Sequence, residues 1–383
     1  MPVALLSKTL AVVIAAILMW RIVNVYQVET DVRVPADADQ PSIVTALLAD
    51  PTDARLMIRL AELRLEQGRE GNADQLVATA GQMAPMQAAV RLAAVPYWMS
   101  RGRIDKVLLE WRVALQLRPK LSTTVFPELL ALASEPTVRA SAFSVLLEQP
   151  PPWWDNFYRY AADHSEDLDT LRGLYYLGRS RSDSERRIER DALLRRLERE
   201  GLWVEAYFVW FNALTDTQRD AIGGIYNGQF DLPIANLGFG WRFQPFKSIS
   251  VERVVDDNNA IVRLTFRGQQ AGYRHFYQPL LLKPGRYRLQ GQVRTEQLQP
   301  ETAGLAWIVS CPDSQKQLVQ SEIFNGTHDW QPFQLDFTVP AAGCQTQILR
   351  LAVQGLTTEE LETRGVIEFD NLILGQSSAD QDR

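Results

Sequence analysis

The 383-residue chain contains few histidines and cysteines and no excess of basic residues. Three histidines, far apart in the sequence, argue against a histidine-rich metal site. The formal net charge of -6 at pH 7 argues against nucleic acid as a partner, because binding phosphates requires a surplus of Lys and Arg. The two cysteines, Cys311 and Cys344, form no CxxC motif, so zinc binding and thioredoxin-like chemistry have no support.

Motifs typical of enzymes are also missing. The sequence has no phosphate-binding loop, no GxGxxG, no HExxH and no GxSxG. Glycoside hydrolysis needs two facing carboxylates. The acid-rich stretch with Glu359, Glu360 and Glu362 is polar throughout, which is typical of an exposed loop. We therefore expect a protein that is not an enzyme.

One long apolar run is present, at the amino terminus. Residues 5–26 give 22 positions, near the ~20 that span a bilayer, with Lys8 and Arg21 close to the ends. The run ends in Met19-Trp20-Arg21 rather than in a small-residue cleavage site, which favours an uncleaved anchor over a signal peptide. Residues 1–34 are predicted to be this anchor and its linker.

The flanking charges weakly favour an amino terminus inside the cell and a body outside the cytoplasm. This predicts a single-pass protein of a bacterial inner membrane with most of the chain in the periplasm. In that compartment Cys311 and Cys344 are candidates for one disulfide, and the alternative is two buried thiols.

The next region repeats with a period of 34 residues. Pro51, Pro85 and Pro119 are spaced by that interval, and so are Gly68 and Gly102. The period and the small-residue, glycine and proline positions resemble tetratricopeptide helix–turn–helix repeats. The resemblance implies an α-solenoid over residues 35–218 that binds a protein partner. A less complete copy begins at Gly201, and an arginine-rich helix over 184–200 is expected to present a solvated, salt-bridged face.

The pattern changes near residue 222 to short alternating segments separated by Gly, Pro, Asn and Asp. This predicts an antiparallel β-sandwich of the jelly-roll type over residues 222–376, followed by a disordered tail at 377–383. Examples of the predicted strands are 261–266, 286–293, 305–309, 333–339, 348–353 and 365–373.

Three local motifs make the sandwich more specific. It opens with Asn227-Gly228-Gln229-Phe230-Asp231, continues with a glutamine and proline-glycine-x-tyrosine hairpin over 277–287, and closes with Phe369-Asp370-Asn371. In this order they resemble jelly-roll carbohydrate-binding modules, over about 150 residues. The resemblance implies that the first and last strands are neighbours. It also implies a structural calcium ion held by Asp231 and Asp370, unless Asp231 only caps a turn.

Sugars bind by stacking on aromatic side chains with polar groups around them. The candidates are Trp241, Tyr273, His275 and Trp330, of which Trp241 and Tyr273 lie near turn-rich flanks and are expected to be exposed. Trp307 lies in a strand and is expected to belong to the core.

The favoured hypothesis is a non-catalytic, membrane-anchored periplasmic scaffold of exopolysaccharide or cell-surface assembly. In this hypothesis the solenoid binds a protein and the sandwich contacts a polysaccharide or a further subunit. The whole architecture resembles accessory proteins of bacterial polysaccharide loci, which is an analogy only. The alternative is a lectin-like protein whose sandwich captures a sugar, and an envelope glycoside hydrolase is the least favoured.

Overall fold

A helical region is followed by an antiparallel two-sheet sandwich, as the sequence predicts. The chain divides into two compact units, the first ending at Ser180 and the second beginning at Arg181. The second unit thus starts earlier than the sandwich boundary expected near residue 222. The computed structural model describes residues 38–182, 184–244, 246–256, 259–270, 273–300, 303–312, 314, 316–355, 357 and 360–377.

The anchor predicted at residues 1–34 lies outside the described residues, as do residues 378–383 of the predicted tail. Within the ranges given above, no helix combines the length and the apolar character needed to cross a membrane.

The first unit is built from helices joined by short turns. Asp39 and Asp53 begin the first two, because their side chains accept hydrogen bonds from main-chain N–H groups of the first turn. The helices are α1 (Gln40–Ala49), α2 (Ala54–Glu66), α3 (Glu70–Met83), α4 (Ala88–Ser100), α5 (Ile104–Leu117), α6 (Ser122–Ser134), α7 (Pro136–Val138), α8 (Ser144–Glu148), α9 (Trp154–His164) and α10 (Leu168–Leu177), with 3₁₀ turns at Pro119–Leu121 and Gly178–Ser180 and a π-helical turn at Arg139–Phe143.

Helices α2–α3 and α4–α5 are two copies of one helix pair. Each boundary of the second pair lies 34 residues after its counterpart in the first. Both pairs turn at a glycine with positive φ, 72° at Gly68 and 65° at Gly102. In each pair, the N–H of the residue after the glycine donates a hydrogen bond to the carbonyl oxygen of the residue five positions before it. This bond ends the preceding helix. The 34-residue spacing of the sequence therefore corresponds to a repeated structural unit.

The second unit begins with α11 (Arg187–Arg199), α12 (Trp203–Asn212) and α13 (Asp216–Asp220). Gly201, with φ 72°, makes the same turn between α11 and α12. The expectation of a solvated face on α11 is wrong, since Glu189, Arg190 and Arg196 are buried. Glu189 forms an ion pair with Arg181, because a charge buried without a partner costs several kcal/mol.

Among the described residues, nine strands follow and form two antiparallel sheets. The larger sheet has the order β1-β2-β9-β4-β7 and the smaller has the order β3-β8-β5-β6. Their inner faces enclose one apolar core that includes Trp307, which is fully buried as expected. The strands are β1 (Ile249–Asp256), β2 (Asn259–Gln270), β3 (Phe276–Leu280), β4 (Gly285–Gln299), β5 (Gly304–Cys311), β6 (Lys316–Gln320), β7 (Gly326–Val339), β8 (Gln347–Gln354) and β9 (Glu362–Gln376).

The opening motif lies beside the closing strand, as the resemblance implies. Asn227 closes its own loop, because its side-chain amide donates to the Leu232 carbonyl and its Oδ1 accepts from the Leu232 N–H, at 2.8 and 3.0 Å. The Leu372 N–H of β9 donates to the Gly228 carbonyl at 2.9 Å. A Cβ atom on Gly228 would lie 2.0 Å from the Leu372 carbonyl oxygen, so the close approach requires glycine here.

The middle motif joins the same opening segment to β3. Gln278 is fully buried, and its side chain donates to the Tyr226 carbonyl at 2.9 Å and accepts from the Tyr226 N–H at 3.0 Å. Because the amide N–H and the amide oxygen of the side chain are both hydrogen-bonded, burying Gln278 in the core leaves neither group unsatisfied. These bonds hold β3, and with it the smaller sheet, against the start of the domain.

Candidate functional site

An open groove of about 500 Å³ lies on the outer face of the four-stranded sheet. Alternate residues of a strand face opposite sides of a sheet. In β8 the outward positions Arg350, Ala352 and Gln354 line the groove, and Ser310 of the neighbouring β5 lines it as well. Since Ala352 and Ser310 are small, they leave a depression between the longer side chains.

Tyr277, Arg350 and Ile308 form a row across β3, β8 and β5 on this face. The guanidinium carbon of Arg350 lies 5.7 Å from the centre of the Tyr277 ring, and that of Arg242 lies 5.9 Å from it. Arg242 is held in place by Glu198 of α11, at 2.9 Å. At the β3 edge of the sheet, the Tyr277 ring therefore lies close to the guanidinium groups of Arg350 and Arg242.

An aromatic group lies beside the groove. The Phe246 ring is 43% exposed and stacks on the His275 ring at 6.3 Å and 15°. His275 meets the Tyr273 ring edge to face at 5.6 Å, and Tyr273 itself lines the groove. Burial, together with the charges of Arg274 and Arg350, lowers the pKa of His275, so its ring is neutral at neutral pH.

Two of the predicted sugar-binding residues are buried rather than exposed. Trp241 is 1% exposed, stacks on Phe276 at 4.9 Å and 8°, and donates from Nε1 to the Asn227 carbonyl. Its predicted exposure is wrong, because the turn-rich chain around it folds the indole into the centre of the core. Tyr273 is also 1% exposed, and burial raises the pKa of its hydroxyl.

Trp330 lies on the other sheet. Its ring is 38% exposed, with the Arg294 guanidinium carbon 5.1 Å from its centre. That sheet carries its own groove of about 720 Å³, whose lining includes the amide side chains of Gln290, Gln292 and Gln334. Of the four predicted aromatic residues, the structure therefore brings together only Tyr273 and His275.

The two predicted calcium ligands differ in their surroundings. Both carboxylate oxygens of Asp370 accept hydrogen bonds, from the Asn259 amide at 2.9 Å and from the Asn371 main chain at 2.6 Å. Asp231 is exposed, and its main-chain carbonyl accepts a bond from Arg253. No group of three or more His, Cys, Asp or Glu side chains among the described residues is arranged to hold a metal ion. The calcium site remains a prediction.

Cys311 and Cys344 are joined by a disulfide, with Cα atoms 5.1 Å apart. Cys311 ends β5, and Cys344 lies in the connection that leads into β8. The bond therefore ties the end of β5 to the segment that leads into β8, its neighbour in the sheet that carries the groove.

The sequence prediction missed Tyr277, Arg350 and Phe246. One signal was present in β8, where Arg350 is the one charged residue within the apolar run 348–353. A charged residue at such a position marks the outward face. No comparable signal distinguishes Phe246 from the aromatic residues of the core.

No family model and no curated protein matches this chain. The solved structures similar to it include a CBM4 structure, with 18% sequence identity and a TM-score of 0.32, covering 40% of this chain and 99% of that chain. The CBM22-1 xylan-binding domain of Paenibacillus barcinonensis Xyn10C has 13% identity and a TM-score of 0.26, covering 37% and 87%. TmCBM61 in complex with β-1,4-galactotriose has 14% identity and a TM-score of 0.28, covering 41% and 99%. Likenesses of this size assign neither a ligand nor an activity to this chain.

Proposed function

We propose that this chain binds carbohydrate through the groove of the four-stranded sheet. The observation that carries the proposal is a stacked aromatic pair, the exposed Phe246 and the partly exposed His275, beside a groove whose lining combines two arginines with neutral hydrogen-bonding groups. The apolar face of a sugar ring packs on aromatic carbon, while its hydroxyls bond to amides and hydroxyls such as those of Ser310, Gln317 and Gln354. The lectin-like hypothesis is therefore preferred to the scaffold hypothesis for this domain.

The groove of the five-stranded sheet is the less suitable of the two. It offers amide groups, but Phe333, the aromatic residue in its lining, is 4% exposed. The nearest exposed aromatic ring on that sheet, Trp330, already has the Arg294 guanidinium against it. A sugar ring would have to displace that cation before it could stack.

We also propose that the bound glycan is not cleaved. Hydrolysis of a glycosidic bond requires two carboxyl groups that flank it. None of the described residues that line the groove of the four-stranded sheet is Asp or Glu. Incubation of the chain with the glycans it binds, followed by chromatography of the sugars, tests this point. Release of shorter sugars would contradict it.

The binding proposal is tested on a glycan array with the whole chain and two matched variants. Phe246→Ala should lower the affinity for the best ligand about five-fold, since loss of an aromatic stacking contact costs roughly 1 kcal/mol. Trp330→Ala removes an exposed aromatic residue of the other sheet and should leave the signal unchanged. Absence of binding to any glycan, or loss only in Trp330→Ala, would overturn the proposal.

A second role, protein docking, is proposed for the helical unit. It is supported by the repeated helix pairs, which resemble tetratricopeptide repeats, and by exposed Met83 and Met86 between α3 and α4. The periplasmic, membrane-anchored setting rests on the sequence of residues 1–34 alone, and the link to a polysaccharide system rests only on the resemblance of the whole architecture. Fractionation of cells with the whole chain, and with a chain that starts at residue 35, tests the anchor. Equal distribution of the two chains would contradict it.

A further inference from the structure

Two arginines line the groove of the four-stranded sheet without a carboxylate partner. Arg350 projects from β8, and Arg274 lies just before β3. Among the described residues neither forms an ion pair. By contrast, Arg263 and Arg294 on the other sheet share the carboxylate of Glu368. The positive charge of this groove is therefore not neutralised within the described part of the domain.

The position of Arg350 makes this charge costly for the protein. Burial and the neighbouring Arg274 charge lower the pKa of Arg350, since both disfavour its cationic form. Its Nε atom is shielded from solvent and has no hydrogen-bond partner among the described residues. The hydroxyl of Tyr273, in the same lining, also has none within that part of the chain. An anion in the groove would satisfy the guanidinium groups that the fold leaves without a counter-charge.

We propose that the groove binds an acidic glycan, with the carboxylate of a uronic acid residue held by Arg350 and Arg274. The inference rests on the proposed carbohydrate binding at the same site and adds the class of sugar. A guanidinium presents a planar fork of N–H donors that matches a carboxylate. Ser310, Gln317 and Gln354 line the rest of the groove and suit the neutral hydroxyls of the same sugar.

A sugar acid satisfies the groove better than a free anion would. A small ion would engage the two arginines but leave most of the groove and the Phe246–His275 aromatic pair unused. A neutral sugar would use the aromatic pair and the amides but leave the arginines without a counter-charge. A ring that carries a carboxylate uses all three features.

The test compares acidic oligosaccharides with their own methyl esters. Oligomers of galacturonate, glucuronate and mannuronate, and the esterified form of each, are titrated into the whole chain by calorimetry at low salt. We expect at least one acid to bind about ten-fold tighter than its ester, with a difference that shrinks as salt is added. Arg350→Gln should remove this difference and leave the affinity for the ester unchanged.

Arg288→Gln is the matched control, because Arg288 lies on the other sheet and pairs with Asp336. It should keep the full preference for the acid, and thermal unfolding of each variant shows that it is folded. Arg350→Lys keeps the charge but not the fork, so we expect only part of the preference to remain. Equal affinities for acid and ester in the unmodified chain would overturn the acidic-glycan inference while leaving carbohydrate binding intact. Absence of binding to any sugar on the array would overturn both.

Discussion

Arg350 and Tyr277 are cross-strand partners, and the Arg350 guanidinium carbon lies 5.7 Å from the centre of the Tyr277 ring. The pair places a cation against an aromatic face on the outside of the sandwich, in a row with Ile308 of β5. Trp241 and Phe276 form a closer pair, at 4.9 Å, but inside the core. The core of the sandwich and the outer face of the four-stranded sheet therefore use different aromatic residues.

Trp241→Ala should destabilise the sandwich without acting on the groove directly. Removing a fully buried indole leaves a cavity and deprives the Asn227 carbonyl of its donor, which together cost about 3–5 kcal/mol. The free energy of unfolding from urea denaturation, followed by the fluorescence of the remaining tryptophans, checks this. A change below about 1 kcal/mol would show that Trp241 is not in the core.

Two glycines of the helix pairs, Gly102 in a turn and Gly71 inside a helix, should respond to alanine with opposite signs. Gly102 has φ 65°, and a Cβ atom added there would contact no other residue. The strain in Gly102→Ala therefore comes only from the positive φ and should lower the free energy of unfolding by about 1 kcal/mol. Gly71 lies in α3 with open space around it, so Gly71→Ala should stabilise the helix by about 0.5–1 kcal/mol. Thermal unfolding of both variants is the measurement. A lower melting temperature for Gly71→Ala than for Gly102→Ala would contradict the repeat geometry.

Glu368 should make the sandwich sensitive to acid. Burial alone would raise its pKa, but hydrogen bonds from Arg294 of β4 and Arg263 of β2 outweigh burial and hold the pKa below its ordinary value of 4.5. A carboxylate with a depressed folded-state pKa stabilises the fold above its unfolded-state value, and this stability is lost as pH falls through the folded-state pKa. Between pH 5 and pH 2, Glu368→Gln should lose less stability than the unmodified chain. Parallel pH profiles of the two proteins would refute this role.

The disulfide should contribute measurably to the stability of the sandwich. Cys311 and Cys344 are 33 residues apart, and a cross-link that closes a loop of this size stabilises a fold by about 2–4 kcal/mol. The double variant Cys311→Ala, Cys344→Ala should unfold at a correspondingly lower urea concentration than the unmodified chain under oxidising conditions. Coincident unfolding curves would show that the bond is absent or contributes nothing.

The parts of the fold set by local chemistry could be predicted from the sequence. Glycines recur at 68 and 102 because the chain needs a residue with positive φ where it turns from one helix into the next. The spacing of these two turns is the 34-residue period. Gly228 and the closing strand could be placed side by side from the motifs, and the structure shows that their main chains bond there. The strand at Phe276–Leu280 could be placed only through the hairpin motif over 277–287, because Gln278 and Pro279 interrupt its apolar pattern.

The exposure of individual aromatic residues could not be predicted in the same way. Trp241 lies among turn residues, which indicate where the backbone runs but not to which side an indole points. Its burial depends on partners far away in sequence, such as Phe276 and Trp307. Arg350 differs, because alternation in a strand determines its side locally, so the charge could have been recognised as outward-facing.

The central claim is that a glycan occupies the groove of the four-stranded sheet, and the most direct test is a crystal structure of the chain with its tightest-binding acidic oligosaccharide. The account predicts the sugar beside Phe246 and His275, with its carboxylate within 3.2 Å of guanidinium nitrogens of Arg350 or Arg274, the usual limit of an N–H···O bond. A sugar bound instead among Gln290, Gln292 and Gln334 of the other sheet would contradict it.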